Sequence, residues 1–151
     1  MTVAPKAAAL SFASLAEAES LLRERGLRLS SPRRLVLEAL FDADAPTSAE
    51  RLATALRLDP ASVYRNLETL ERHGLVRHMH LGHGPGLYVL VGRGEQEYVY
   101  CERCGAVRAL APGLLDGVRE EVARISGVRP RFTHFPIVGI CEACAAVSAR
   151  A

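Results

Sequence analysis

Long hydrophobic runs are missing from this sequence. No apolar stretch approaches the roughly 20 residues that a membrane-spanning helix needs, so we expect no membrane partner. The chain also lacks a nucleophile beside a base and a phosphate-binding loop, and we therefore do not expect an enzyme. The start, MTVAPKAAALSF, has no convincing cleavage site, and we therefore expect residues 1–12 to be a flexible tail and not a signal peptide. The expected location is the cytoplasm, where disulfides rarely persist.

Charge of one sign is not in large excess, because the formal net charge is only +2. The distribution along the chain is less even. Residues 23–34, RERGLRLSSPRR, contain five arginines and one glutamate. Such a patch can meet phosphate groups. The solvated face of a helix is the alternative that charge alone leaves open.

The first part of the chain predicts three helices separated by short turns. Apolar residues at helical spacing end at Gly26, a residue type that commonly follows a helix. Ser31 and Pro32 open a second helix, in which proline is tolerated within the first turn. A third helix is predicted over Ser48–Leu56. The chain has 151 residues, 49% of them hydrophobic, and is long enough for one or two small folded domains.

A fourth helix carries the clearest start signal in the chain. Asp59 supplies an N-cap side chain, and Pro60 takes the first helical position. After Gly74, the segments LVRHMHL and LYVLV, joined by GHGPG, predict a β-hairpin. Helix, helix, tight turn, helix and hairpin is the order of a winged helix-turn-helix. We place this domain at residues 13–91 and a hinge, GRGEQE, at residues 92–97.

The last part, residues 98–151, predicts a small α/β domain. Two short strands, YVYC and VRAL, flank the turn ERCGA. An amphipathic helix over residues 112–126 is expected to bury its apolar side. The residues on that side are Leu114, Leu115, Val118, Val122 and Ile125. The next apolar segment contains Pro130 and Pro136, which confine it to an edge or a bent strand.

All four cysteines of the chain occur in two CxxC pairs. Cys101 and Cys104 lie in CERCG, and Cys141 and Cys144 lie in CEAC. Two thiolates on a tight turn can bind one zinc ion at about 2.3 Å each, so two such pairs complete a tetrahedral site. A closed four-sulfur site leaves no position for a substrate and predicts a structural zinc. A thiol-disulfide switch is the alternative.

The order of these elements, with SVYRNLETLERHGLV in the fourth helix, resembles the ferric uptake regulator (Fur) family. The similarity runs from about Leu22 to Cys144 and is strongest in residues 63–76 and in the paired CxxC motifs. The resemblance implies a homodimeric, metal-linked transcription factor. It would bind double-stranded operator DNA and repress genes of metal uptake or stress defence.

The resemblance and general helix geometry both point to DNA contacts on the fourth helix. A recognition helix presents its N-terminal residues to the major groove, and here these include Ser62, Tyr64 and Arg65. Tyrosine can touch a thymine methyl group, and arginine can reach phosphate or guanine. The resemblance also implies that Arg28 and Arg33 lie near the DNA backbone or the minor groove. Ordinary surface charge is the alternative for Arg33.

The sequence departs from the family at the usual sensing site. The resemblance implies two histidines before the first CxxC, a histidine before the third helix and an acidic residue ending the second wing strand. The residues at these positions are Gln96, Tyr98, Pro46 and Val89. Together they cannot bind a first-row metal ion. The usual sensor is therefore expected to be absent or to have moved.

A second family site is partly retained and is a candidate for a regulatory metal. Glu97 and Asp116 stand at its acidic positions, and Glu95 replaces a histidine. His134 lies close to the family histidine, one residue out of register. These four residues predict an oxygen-rich site suited to manganese or iron. Solvated carboxylates and a surface histidine are the alternative.

The wing motif RHMHLGHG is another candidate for a regulatory metal. His78 and His80 are two residues apart and therefore share one face of a strand, and His83 lies in the following turn. Three imidazoles at this place can bind zinc or nickel. The alternative is a polar wing near DNA, where a histidine can meet phosphate.

Together these features predict an α+β protein. An N-terminal winged helix-turn-helix is followed by a small α/β dimerisation domain with a four-cysteine zinc site. The predicted function is a dimeric DNA-binding transcriptional regulator, a repressor of metal-homeostasis or stress genes, with an atypical sensor. Two alternatives stay open. One is a regulator that senses oxidation of the same cysteines, and the other is a zinc-ribbon adaptor that binds protein and not DNA.

Overall fold

A computed structural model of the chain describes residues 7–92 and 96–148. The elements are α1 (Leu15–Glu24), α2 (Ser31–Asp42), β1 (Thr47–Ser48), α3 (Ala49–Leu56), α4 (Pro60–Arg72), β2 (Val76–His80), β3 (Gly86–Leu90), β4 (Glu97–Cys101), β5 (Val107–Leu110), α5 (Asp116–Ser126), β6 (Ile137–Gly139) and α6 (Glu142–Ser148). The chain divides into two compact units. The first unit contains residues 1–79 and 85–95, and the second contains residues 80–84 and 96–151. No helix in the described ranges is long and apolar enough to cross a bilayer.

The helices of the first unit begin where their capping residues predict. Ser48 caps α3 by accepting a hydrogen bond from the backbone N–H of Arg51 at 3.2 Å. Asp59 caps α4 in the same way through the N–H of Ser62 at 2.9 Å, and Pro60 takes the first helical position. These local hydrogen bonds set the start of α4, the predicted recognition helix.

Four helices and a small sheet enclose the core of the first unit. Val63, Leu67 and Leu70, the apolar side of α4 predicted from the sequence, are fully buried. Burying each such side chain stabilises the fold by about 1.5–3 kcal/mol. The sheet has the order β1-β3-β2. The two-residue strand β1 was not predicted, and it pairs antiparallel with β3, with Thr47 opposite Tyr88.

Residues 7–12 were predicted to belong to a flexible tail, but the structure packs part of this segment against the first unit. The backbone N–H of Leu10 donates to the carbonyl of Gly74, and that of Phe12 donates to the carbonyl of Gly92, both at 2.9 Å. Phe12 is only 4% exposed and belongs to the core of the first unit. A Cβ atom on Gly92 would lie 2.7 Å from ring carbons of Phe12, so a glycine is needed at this close approach. Residues 1–6 of the predicted tail lie outside the described part.

A three-stranded sheet with the order β5-β4-β6 organises the second unit. Strands β4 and β5 are antiparallel, with Glu97 opposite Leu110. Strand β6 is parallel to β4 and places Gly139 opposite Cys101. It occupies an edge directly after Pro136, as the prolines predict. Helix α6 begins directly after Cys141, contains Cys144 and was not predicted.

The apolar side of α5 is not buried, and this corrects the sequence prediction. No residue of α5 is buried, and Val118 and Ile125 are 47% and 70% exposed. Leu114, just before the helix, is 64% exposed. Apolar periodicity predicts that a helix side is covered, and within this chain nothing in the described ranges covers this one.

Candidate functional site

Strand pairing brings the two CxxC pairs to one place. Cys101 ends β4, and the neighbouring strand β6 leads the chain to Cys141 two residues after Gly139. A tight turn follows Cys101: the N–H of Gly105 donates to the Cys101 carbonyl at 2.8 Å, and Gly105 has a φ of 75°. Glycine adopts this left-handed conformation without steric cost. The turn therefore directs Cys104 back toward Cys101.

The four cysteine sulfurs form one compact cluster. The sulfurs of Cys101, Cys104, Cys141 and Cys144 all lie within 4.8 Å of one another. The Cys104 and Cys141 sulfurs are 3.9 Å apart, and all four cysteines are free thiols. Tetrahedral zinc with bonds of about 2.3 Å places its sulfur ligands about 3.8 Å apart. The donor set and its spacing therefore fit a structural zinc ion.

Backbone N–H groups stabilise a thiolate in this cluster, and the thiolate is the form of cysteine that binds a metal. N–H groups from the turns, at Cys104 and Cys141, lower the pKa of the Cys101 thiol to about 6 because they stabilise its thiolate. The pKa of Cys144 is raised, first because of its hydrogen bond with the Cys141 thiol. Arg103 donates to the Cys144 carbonyl at 3.0 Å and so ties the first turn to the second. A bound zinc ion would deprotonate all four thiols.

The predicted carboxylate site contains a cation of the chain itself. Glu97 is 3% exposed and pairs with the guanidinium of Arg119. Arg119 also binds Asp116, with Nη1 at 2.7 Å from Oδ1. His134 contacts other rings, as described next, and Glu95 lies outside the described residues. The residues present do not fit a divalent ion, because the guanidinium already holds both carboxylates.

Two of the three wing histidines make side-chain contacts within their own units. In the first unit, His78 is buried, and its Nδ1 lies 2.7 Å from Oε1 of Glu71. In the second unit, the His80 ring meets the His134 ring edge-on with centroids 5.4 Å apart, and the His80 N–H donates to the His134 carbonyl. His83 is exposed in the turn. It belongs to no group of three potential metal ligands within residues 7–92 and 96–148.

The residues at two of the usual sensing positions contact each other. The hydroxyl of Tyr98 donates to the side-chain oxygen of Gln96 at 3.3 Å. Burial raises the pKa of Tyr98, so this phenol stays neutral. A neutral phenol and an amide are poor ligands for a first-row metal.

The predicted DNA contacts lie at the start of α4. Tyr64 and Arg65 are exposed, and Ser62 is half-buried in the capping turn. The hydroxyl of Tyr64 donates to Oε1 of Glu50 in α3 at 2.5 Å. Asn66 is buried and donates to the Ser62 carbonyl at 2.9 Å. The first turn of α4 is thus an accessible surface whose capping turn and Tyr64 side chain are hydrogen-bonded.

In the described part of the chain, some arginines of the segment 23–34 are paired with a carboxylate, and others are not paired in this way. Arg34 forms an ion pair with Glu19 at 2.7 Å, and Arg23 lies 3.4 Å from the same carboxylate. Arg33 donates to the backbone carbonyl of Arg28 at 2.5 Å, which keeps its charge but limits its motion. Arg28 is exposed.

Three residues in these sites were not recognised from the sequence: Glu50, Glu71 and Arg119. Glu50 and Glu71 each contact a residue of another element: Glu50 contacts Tyr64, 14 residues away, and Glu71 contacts His78, 7 residues away. Only Arg119 had a local signal, because Asp116 and Arg119 have the i, i+3 spacing of a helical ion pair.

A winged helix with an exposed helix start, in one chain with a four-cysteine cluster, defines a DNA-binding regulator with a metal site. The sequence profile of the ferric uptake regulator family matches residues 24–135. The chain belongs to the ferric uptake regulator family, whose members are metal-responsive transcription regulators and not enzymes.

Individual relatives agree with this assignment. The peroxide operon regulator of Bacillus subtilis is 28% identical over 86% of this chain and 92% of its own length. The zinc uptake regulation protein of Escherichia coli is 30% identical over 89% of this chain and 83% of its own length. The solved structure of a zinc uptake regulator complexed with zinc and DNA is 30% identical and has a TM-score of 0.59. The matched region covers 89% of this chain and 95% of the zinc uptake regulator chain.

Proposed function

We propose that this protein is a homodimeric repressor of metal-homeostasis or stress genes. Residues 13–91 would bind operator DNA, and residues 98–151 would form the dimer around a structural zinc ion. Residues 92–97 would be the hinge between these domains; of these, 93–95 lie outside the described part of the chain. The observation that carries the proposal is the exposed, capped first turn of α4, which offers Tyr64 and Arg65 to a partner.

The electrostatics of α4 support DNA as that partner. Arg65 is exposed at the helix start, where a recognition helix meets the edges of the bases. Arg28 and Arg33 add positive charge on a neighbouring segment of the first unit. A zinc-ribbon adaptor that binds only protein would not need this basic helix start. A structural relative that is 30% identical is a zinc uptake regulator in complex with DNA, which agrees with the proposal.

The exposed apolar side of α5 supports a dimer. Val118, Ile125 and Val138 are each about half exposed or more in the single chain. Large exposed apolar side chains on a helix and a strand of one unit are typical of a surface that a partner covers. A second copy of the chain would cover the same surface on both protomers. Two recognition helices would then meet a palindromic operator.

Alanine substitution on α4 tests the DNA-binding proposal. Arg65→Ala should weaken operator binding by about 1–3 kcal/mol if Arg65 reaches guanine, or reduce the salt dependence by about one charge if it reaches phosphate. Arg72→Ala is the matched control, because Arg72 is exposed in the last turn of the same helix. The operator fragments would be selected from random DNA. Fluorescence anisotropy at several salt concentrations then measures the affinity of each variant and its salt dependence. Equal affinity of wild type and Arg65→Ala would exclude the proposed orientation of α4.

Oxidation of the cysteine cluster is a second candidate for the signal. Cys104 is exposed, and its sulfur is 3.9 Å from that of Cys141. Peroxide can oxidise the two thiols to a disulfide while it is reduced to two water molecules, and the zinc would lose two ligands. Zinc release and weaker operator binding after peroxide treatment would support this signal. Unchanged operator binding of the fully oxidised protein would exclude it.

A further inference from the structure

The carboxylate of Glu97 is among the most buried charged groups of the second unit. Glu97 begins β4 and is 3% exposed. A buried carboxylate is costly unless a cation stands beside it. The cation here is the guanidinium of Arg119, a residue of α5 whose side chain is only 14% exposed.

The same guanidinium joins a second carboxylate to the first. Its Nη2 pairs with Glu97, and its Nη1 lies 2.7 Å from Oδ1 of Asp116. The planar group of arginine can bind two carboxylates through different nitrogens at once, whereas lysine offers a single point charge. A metal ion bound by Glu97 and Asp116 would have to lie between the two carboxylates, and the guanidinium is there already.

A ring contact holds the arginine in this position. The guanidinium carbon of Arg119 lies 5.6 Å from the centroid of the Phe132 ring. Stacking on an aromatic face adds attraction and removes the freedom of the side chain to swing away. The cluster is therefore a built arrangement of four side chains and not a pair of surface charges.

We propose that Arg119 permanently replaces a divalent metal ion at Glu97 and Asp116. The oxygen-rich site expected from the sequence is closed, and its place is taken by an ion pair that needs no metal. This unit then does not respond to manganese or iron at these carboxylates, and its four-cysteine cluster remains the site for zinc. The inference goes beyond the proposed function, and it holds whether or not the chain binds DNA.

Manganese binding to the zinc-loaded, full-length protein tests this directly. Native mass spectrometry and isothermal titration with Mn²⁺ are applied to wild type and to Glu97→Gln. We expect the same manganese stoichiometry for both, because Glu97 is not a ligand in the wild type. A manganese ion that binds wild type and is lost in Glu97→Gln would overturn the proposal. Manganese that binds both equally lies elsewhere and agrees with a closed site.

Removing the arginine should open the site. Arg119→Met keeps an apolar stem but removes the cation, and we expect it to bind one more manganese ion per chain than wild type. Manganese should also raise its Tm in proportion to the logarithm of the metal concentration, because the ion binds only the folded state. The double variant with Glu97→Gln should lose both effects. A folded Arg119→Met protein without additional manganese would contradict the proposal.

Two further variants test whether manganese binding depends on a positive charge at position 119 in particular. Arg124→Met removes an exposed arginine of the same helix, which pairs with Glu121 at 2.6 Å, and should leave manganese binding as in wild type. Arg119→Lys keeps a positive charge near the carboxylates and should bind less manganese than Arg119→Met. If Arg119→Met cannot be purified in folded form, the comparison of wild type with Glu97→Gln still decides the question.

Discussion

The hydroxyl of Tyr64 donates a hydrogen bond of 2.5 Å to Oε1 of Glu50, and this contact joins α4 to α3. It restrains a side chain that the sequence predicts to touch DNA. The bond to Glu50 raises the pKa of Tyr64, and the same bond lowers the pKa of Glu50. Each shift follows from the hydrogen bond, because a neutral phenol donates to a charged carboxylate. The predicted recognition surface is thus arranged before DNA is present.

Glu50→Ala should lower the pKa of Tyr64 toward its ordinary value of 10.0. The reason is that the substitution removes both the acceptor and the negative charge that favour the protonated phenol. Absorbance titration of tyrosinate at high pH measures the change. Tyr64→Phe and the double variant are the controls, and the Glu50 substitution should have no effect in the Tyr64→Phe background. A shift that persists in that background would belong to another tyrosine.

Cys101→Ser should lower the zinc content from one ion per chain to none and unfold the second unit. The binding energy of a structural zinc site contributes directly to folding, about 10–16 kcal/mol in small zinc domains. Zinc analysis by mass spectrometry and circular dichroism measure the two effects. Glu102→Gln is the control, because Glu102 is exposed next to Cys101. Full zinc content in Cys101→Ser would show that this sulfur is not a ligand.

Ile125→Glu should convert the proposed dimer to monomers. Ile125 is 70% exposed in the single chain, and a carboxylate in a covered apolar surface would be desolvated without a partner. We expect dimerisation to weaken at least about ten-fold, which corresponds to about 1.4 kcal/mol. Light scattering after size-exclusion chromatography measures the mass. Glu120→Gln, on a different side of α5, should remain dimeric, and an unchanged mass of Ile125→Glu would place the interface elsewhere.

Phe12→Ala should destabilise the first unit by about 3–5 kcal/mol, the usual cost of removing a buried aromatic ring. Phe12 is 4% exposed, and its ring lies 6.0 Å from that of Phe41. Urea unfolding followed by circular dichroism measures the loss. Phe12→Leu keeps apolar volume at the site and should lose much less. Equal stability of Phe12→Ala and wild type would mean that residues 7–12 are a flexible tail after all.

Local chemistry explains why the element order and the metal cluster could be predicted. The start of α4 depends on Asp59 and Pro60, which lie next to each other in the chain, and the structure confirms the helix there. The fold class is confirmed as well, because periodicity and turns indicate winged-helix and α/β elements within short windows. The CxxC spacing likewise predicts a tight turn for each cysteine pair, and the structure brings both pairs to one cluster.

Predictions that required knowledge of distant partners were less successful. Residues 7–12 lack helical or strand periodicity, yet Phe12 is buried because Gly92 leaves space for its ring. The apolar side of α5 has a clear period, but the period cannot show whether the covering surface belongs to the same chain. The carboxylates Glu97 and Asp116 match a family metal site, and only the fold shows that Arg119 reaches both.

The sequence alone determined where α4 begins, where the turns of the cysteine pairs form and which sulfurs can share one metal ion. Each of these depends on residues a few positions apart, so short-range sterics and hydrogen bonding decide them. The tertiary structure alone decided which polar groups of distant residues meet: Tyr64 with Glu50, His78 with Glu71, and Arg119 with Glu97. Electrostatic partners are set by distances in space, and the same acidic residues can bind a metal or an arginine depending on which one the packed helices bring near.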